Sequence, residues 1–162
     1  MLKRLRKHIR LYQTRFSFGS SSAIITNLGL IMGLDSGANA KYSILASILV
    51  IAIADNISDS FGIHMYQESE RLNRAEVWIS TSTNFVSRLL VSLGFMFLIY
   101  YLPLKTAVAF SLLYGLSLLM FLSYIIARDE KENPYFAMAE HLGIALLVIV
   151  LSELAGGMLL GK

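Results

Sequence analysis

Asp55 and Asp59 are the residues of this chain best placed to do chemistry, and they lie inside an apolar stretch. Residues 50–66 read Val-Ile-Ala-Ile-Ala-Asp-Asn-Ile-Ser-Asp-Ser-Phe-Gly-Ile-His-Met-Tyr. A spacing of four puts both carboxylates on one helical face, about one turn apart. A charged side chain at the centre of a bilayer costs ~2.5–3.5 kcal/mol on insertion scales. Two carboxylates this close also repel each other. They therefore call for a proton, a basic partner or a bound cation. Their hard oxygen ligands suit Mg²⁺, Ca²⁺, Mn²⁺ or Fe²⁺ better than soft metals. Asn56, Ser58 and Ser60 add oxygen atoms, and His64 adds an imidazole nearer the end of the stretch. The competing expectation is that arginine or hydroxyl groups pair with the aspartates for packing alone.

Other polar residues fall at similar depth. Gly19-Ser20-Ser21-Ser22 and Thr26-Asn27 open the first apolar stretch, with Asn27 near its middle. Arg88 sits a turn or two inside the third, beside Asn84. It either snorkels to the headgroups or pairs with Asp59. Glu153 lies well inside the last stretch, where a carboxylate can carry protons or line the far mouth of a path. Glu140 and His141 begin that stretch, where the helix dipole favours an acidic residue. Gly29 and Gly33 are four apart, the small-xxx-small spacing that lets helices approach closely, within the chain or between two copies.

These groups need helices to position them. A span takes ~20 apolar residues. Five stretches qualify: 18–34, 42–66, 80–102, 104–127 and 136–160. The expected fold class is therefore all-α, a polytopic membrane protein with five transmembrane helices. A basic amphipathic segment, 1–17, precedes a single transmembrane domain, 18–162. Lys3–Arg15 is suited to lie along the cytoplasmic leaflet, or acts only as a topology signal. Asp35–Lys41 has turn composition. Gln67–Ile79 is charged and is expected to continue the second helix past the membrane. Pro103 stops the third span, and Pro134 suits the first turn of the fifth helix. Basic residues, an apolar stretch and Ala38-Asn39-Ala40 resemble a cleavable signal peptide; we read that stretch as the first span.

Lys and Arg set the orientation. The amino-terminal cluster, Arg71, Arg74, Arg128 and Lys131 share one side, and Lys41, Lys105 and Lys162 the other. The amino terminus is expected in the cytoplasm and the carboxy terminus on the far side. Trp78, Tyr100 and Tyr101 suit the interfacial belt.

The 162 residues are 56% hydrophobic, beyond the range of most soluble domains. There is no cysteine, which excludes disulfides and thiolate metal sites. The net charge of +3 comes with six of fourteen Lys and Arg in the first fifteen residues. A basic cluster beside a span fits topology and anionic lipid, so no nucleic-acid partner is expected. No hydrolase elbow, phosphate-binding glycine loop or H-E-x-x-H motif is present. No second aspartate motif completes an aspartyl-protease pair, so an enzyme is not expected.

The order of features resembles the vacuolar iron transporter family. Gly19-Ser-Ser-Ser-Ala-Ile-Ile-Thr-Asn-Leu-Gly-Leu-Ile-Met-Gly-Leu34 is similar to that family's G-A-N-D-G-L…L-x-x-G-L pattern. Ala54-Asp-Asn-Ile-Ser-Asp-Ser-Phe-Gly62 is similar to A-G-A-x-S-M-A-x-G. Leu98-Ile-Tyr-Tyr-Leu-Pro103 is similar to the P-x-x-P-Y end of the third span, and Ala155-Gly-Gly-Met-Leu-Leu-Gly161 to the last span. The resemblance implies a homodimer with an ion path between the two first spans, driven by proton antiport. It implies transport of divalent cations of the iron or manganese type out of the cytoplasm, with no permanently bound cofactor.

The chain departs from that pattern at several points. Ser22 stands where the family has an aspartate, Asp59 where it has a methionine ligand, and Gly62-Ile63 where it has G-E. The cytoplasmic metal-binding domain is reduced to Glu68, Glu70 and Glu76 in a connector. Either the carboxylate has moved from the first helix to the second, which favours harder ions, or iron transport has been lost. The metal ligands expected on the first reading are Asp59, Asp55, Asn27, Ser22 and His64. Glu68 and Glu70 would form the cytoplasmic entrance, Glu153 the proton-coupling site, and Gly29 and Gly33 the dimer interface. The alternatives are a transport-inactive membrane scaffold and a carrier of a non-metal solute.

Overall fold

A computed structural model describes residues 2–160, with side chains at Phe16 and from Phe18 onward. The described elements are all helical. They are α1 (Leu2–Leu34), α2 (Ala40–Val50), one π-helical turn (Ile51–Asp55), α3 (Asn56–Ser69), α4 (Arg74–Tyr101), α5 (Leu104–Glu130) and α6 (Pro134–Leu160). The first of these runs unbroken from Leu2 to Leu34. The amphipathic face expected of Lys3–Arg15 lies outside the described residues.

Four helices are long and apolar enough to cross a membrane: Ala40–Ser69, Arg74–Tyr101, Leu104–Glu130 and Pro134–Leu160. This is consistent with a multi-pass membrane protein. The fifth expected span, Phe18–Leu34, is a shorter apolar stretch at the end of α1.

Local chemistry sets the ends of these helices. The charged connector does not extend the second long helix, as its composition led us to expect. Arg71 adopts the left-handed region at φ 54°, and Asn73 then caps α4, its Oδ1 accepting the Ala75 amide at 3.0 Å. Leu102 turns extended before Pro103, which has no amide to donate, and α4 stops there. Lys131 closes α5 in the left-handed region at φ 62°. Asn133 Oδ1 accepts the Tyr135 amide at 3.0 Å, so Pro134 occupies the first helical position, as expected.

The core centres on α1, which touches α2, α4, α5 and α6. Its Ile24, Leu28 and Ile31 are buried among Ile44 and Ile48 of α2, Phe95 and Ile99 of α4, Leu119 of α5 and Ile149 of α6. Two close approaches fix its neighbours. A Cβ on Gly19 would fall 2.4 Å from Ser87 Oγ, and one on Gly156 would fall 1.9 Å from the Gly33 carbonyl oxygen. Gly19 meets Asn84 and Ser87, and Asn27 meets Ser92, so α1 and α4 run parallel. Gly29 meets Val148 and Ser152, and Gly33 meets Ser152 and Gly156, so α6 runs parallel to both. Gly29 and Gly33 are thus covered by α6 of the same chain. Of the two uses their spacing allowed, the one within the chain is present.

Candidate functional site

The α3–α4 interface is a seam of polar contacts. Asn56 Nδ2 donates to the Phe85 carbonyl at 2.9 Å, Asn84 Nδ2 to Ser60 Oγ at 3.1 Å, and Gln67 Nε2 to Ser80 Oγ at 2.7 Å. Between them, His64 Nδ1 meets Thr81 Oγ1 at 3.1 Å. The numbering falls on α4 as it rises on α3, so the two helices are antiparallel. In an apolar surrounding such bonds replace partners that lipid cannot supply, each adding ~0.6 kcal/mol on average.

At the inner end of the seam, Arg88 reaches both aspartates. Its Nη2 pairs with Asp55 Oδ2, and its Nη1 lies 3.3 Å from Asp59 Oδ2. The same Nη1 donates to Ser22 Oγ on α1 at 2.5 Å. Asn84 Nδ2 adds a donor to Asp59 Oδ2 at 2.9 Å. The Arg88 side chain is only 3% exposed, so it does not snorkel; of its two expected fates, pairing is the one found. The carboxylates are far more open, Asp55 at 49% and Asp59 at 30%. The basic group approaches from inside the bundle, and the acids face outward.

The backbone positions the acids in an unusual way. Asp55 closes the π-helical turn Ile51–Asp55, and the α-helix resumes at Asn56. A π turn carries one extra residue and recurs at functional sites. Lys41 ties the other end of this long helix to α4, its Nζ donating to the Leu102 carbonyl at 3.0 Å. A cation there also complements the negative end of the α4 dipole.

The expected ligand set is only partly assembled. Asp55, Asp59 and Ser22 meet at Arg88. Asn27 instead hydrogen-bonds along α1 and to α4, donating to the Ala23 carbonyl at 2.8 Å and to Ser92 Oγ at 3.0 Å. His64 is turned to the seam. Thr81 gives its own proton to the Val77 carbonyl at 2.9 Å, so Nδ1 of His64 is the donor to Thr81. The other ring nitrogen, Nε2, faces Glu68 at 3.4 Å, and the ring stands edge-on to Trp78. Glu68 thus sits beside the His64 ring, while Glu70 is exposed just past α3. Glu153 is exposed on α6, lining a cavity of about 540 Å³ with Val150, Leu154, Gly157 and Met158. Among the described residues, no three of His, Asp and Glu converge as metal ligands.

The sequence reading gave Arg88 pairing with Asp59 as one of two outcomes, but it did not expect Arg88 to reach Asp55 and Ser22 as well, nor Asn84 to donate to Asp59. A signal was present. Asn84 and Arg88 are four apart, as are Asp55 and Asp59, so each pair occupies one helical face. Other polar atoms are buried nearby: Arg88 Nε, Asn84 Oδ1, Asn27 Oδ1 and Ser20 Oγ have no hydrogen-bond partner among the described residues. Comparison with protein-family models, curated proteins and solved structures gave no match.

Proposed function

We propose that the chain is a multi-pass membrane carrier of cations, with Asp55 and Asp59 as the binding groups. The observation that carries this reading is the outward exposure of two carboxylates one turn apart on an apolar helix. The cargo is a divalent metal cation of the iron or manganese type, moved out of the cytoplasm in exchange for protons. Glu68 and Glu70 gather cations at the entrance, Ser22 lends an oxygen, and Glu153 is the proton site on the last helix.

Five spans per copy complete the reading. Phe18–Leu34 packs parallel to α4 and α6 and buries its apolar side in the same core. Seventeen helical residues reach roughly 25 Å, close to the ~30 Å apolar thickness of a bilayer. The protein works as a homodimer through the outer face of α3. There Ser58 and Gly62, with Ala54 of the preceding π turn, are exposed at a small-xxx-small spacing beside Asp55. A Cβ on Gly62 would meet nothing within 4 Å.

The test is metal uptake into proteoliposomes under an imposed pH gradient, with Fe²⁺, Mn²⁺, Co²⁺ and Mg²⁺, wild type beside Asp59→Asn. Uptake by the wild type that disappears in the variant supports the reading. Undiminished uptake in Asp59→Asn removes the site assignment, and no uptake from folded wild type removes the function. The second reading is a transport-inactive scaffold. It is favoured by the fact that Arg88 and Asn84 already give both carboxylates partners. A scaffold gains no thermal stability from added Mn²⁺, whereas a ligand of the folded state raises the melting point by mass action.

A further inference from the structure

The two sides of the acidic pair differ in access and in charge. Asp55 and Asp59 open outward, 49% and 30% exposed, while the guanidinium reaches them from a position only 3% exposed. Two carboxylates and one guanidinium sum to a single negative charge. A divalent cation added to that trio leaves a net positive charge in an apolar surrounding, where unbalanced charge is penalised most. Without the guanidinium, the two carboxylates balance one divalent cation.

We infer that Arg88 is a tethered competitor for the cation site: its guanidinium holds the carboxylates when the site is empty and must leave them for a divalent cation to bind. This rests on the cation-carrier reading above. Three further observations support a guanidinium that can move. Arg88 Nη1 is also held by a neutral acceptor, Ser22 Oγ on α1, at 2.5 Å, so one bond can survive departure from the acids. One turn back on α4, Asn84 Oδ1 is buried with no partner among the described residues, a free acceptor within the same helix. Arg88 Nε is likewise buried and unpartnered, so that nitrogen does not anchor the side chain.

The competitor role predicts a sign that a structural role does not. Full-length protein in detergent is titrated with Mn²⁺, and the apparent dissociation constant is read from the melting-point shift. Arg88→Gln is expected to bind Mn²⁺ at least tenfold tighter than wild type, and Arg88→Lys, which keeps the charge, within about threefold of it. Looser binding in Arg88→Gln overturns the inference, since an arginine that merely shapes the site is lost at a cost to affinity.

Should Arg88→Gln not fold, Asp55→Asn is compared with the double variant Asp55→Asn/Arg88→Gln. The double variant removes Arg88 with one of its two acids, so the cluster keeps its single negative charge on Asp59, to which Asn84 still donates. It is expected to bind Mn²⁺ at least tenfold tighter than Asp55→Asn alone; equal or looser binding overturns the inference. A wild type that responds to Mn²⁺ while Arg88→Gln responds less sinks the competitor and leaves the carrier standing. Absence of any response to Mn²⁺, Fe²⁺ or Mg²⁺ in every variant sinks both.

Discussion

Arg88 and Asp59 approach to 3.3 Å from two antiparallel helices, and Asp55 one turn away shares the same guanidinium. The cluster is held by pairing, so stranding one charge costs more than removing all of them. Arg88→Gln alone leaves two facing carboxylates with no counter-charge, a loss of stability smaller than the ~3–5 kcal/mol of a fully buried pair because the acids are 49% and 30% exposed. The triple variant Asp55→Asn/Asp59→Asn/Arg88→Gln is expected to recover most of that loss. Unfolding by denaturing detergent compares the two, and a triple variant no more stable than Arg88→Gln contradicts the pairing account.

Helix positions were readable because apolar runs, prolines and asparagine caps are local signals. Pro103 and Pro134 act within a turn of where they stand, and the structure places helix ends beside both. Arg88 was harder, since its partners lie 33 and 29 residues away on another helix and two outcomes cost similar amounts. The matched spacings Asp55/Asp59 and Asn84/Arg88 were visible, but which faces meet depends on rotation about each helix axis. The π turn at Ile51–Asp55 is different in kind. Ile-Ala-Ile-Ala-Asp contains no Pro or Gly to announce a distortion. Gly29 and Gly33 show the same limit: their spacing identified a close contact without saying which helix would make it.

The α1–α6 contact gives a sharp test. A Cβ on Gly156 would fall 1.9 Å from the Gly33 carbonyl oxygen, a backbone atom that can yield only if the helices separate. Gly156→Ala is expected to lower stability by about 1–3 kcal/mol, the usual range for overpacking. Gly143→Ala, on the same helix with nothing within 4 Å, is the control and should be neutral or slightly stabilising. Thermal unfolding of both in detergent checks the pair, and equal melting points contradict the contact.

The absence of native cysteine makes single-cysteine chemistry clean. A homodimer through α3 predicts that Ser58→Cys cross-links two copies in membranes under mild oxidation. Gly29→Cys, covered by α6, should not. Cross-linking at residue 29 with none at 58 returns the interface to the first apolar helix and removes α3 from it.

Five spans and four make opposite statements about the ends of α1. If Phe18–Leu34 crosses, Gln13→Cys is labelled by an impermeant maleimide from the same side as Ser69→Cys, and Ser36→Cys from the other. If it does not cross, positions 13 and 36 are labelled from one side. Labelling in oriented vesicles separates the two.

Asn84 is a neutral donor to the acids, giving hydrogen bonds to Asp59 at 2.9 Å and to the adjacent Ser60 at 3.1 Å. Replacing it by leucine removes both bonds without adding charge. Hydrogen bonds between membrane helices average ~0.6 kcal/mol with a ceiling near 1.7, so a stability loss of about 1–2 kcal/mol is expected. The functional effect should exceed the structural one. With one donor gone, Asp59 depends on Arg88 alone, and the guanidinium should leave less readily. Asn84→Leu is therefore expected to weaken Mn²⁺ binding, whereas Gln67→Leu, which breaks the seam farther along at Ser80, should cost comparable stability and leave Mn²⁺ binding unchanged. Melting points with and without Mn²⁺ for both variants decide it: equal Mn²⁺ shifts would mean the seam acts as one structural unit with no special role for the residue beside the acids.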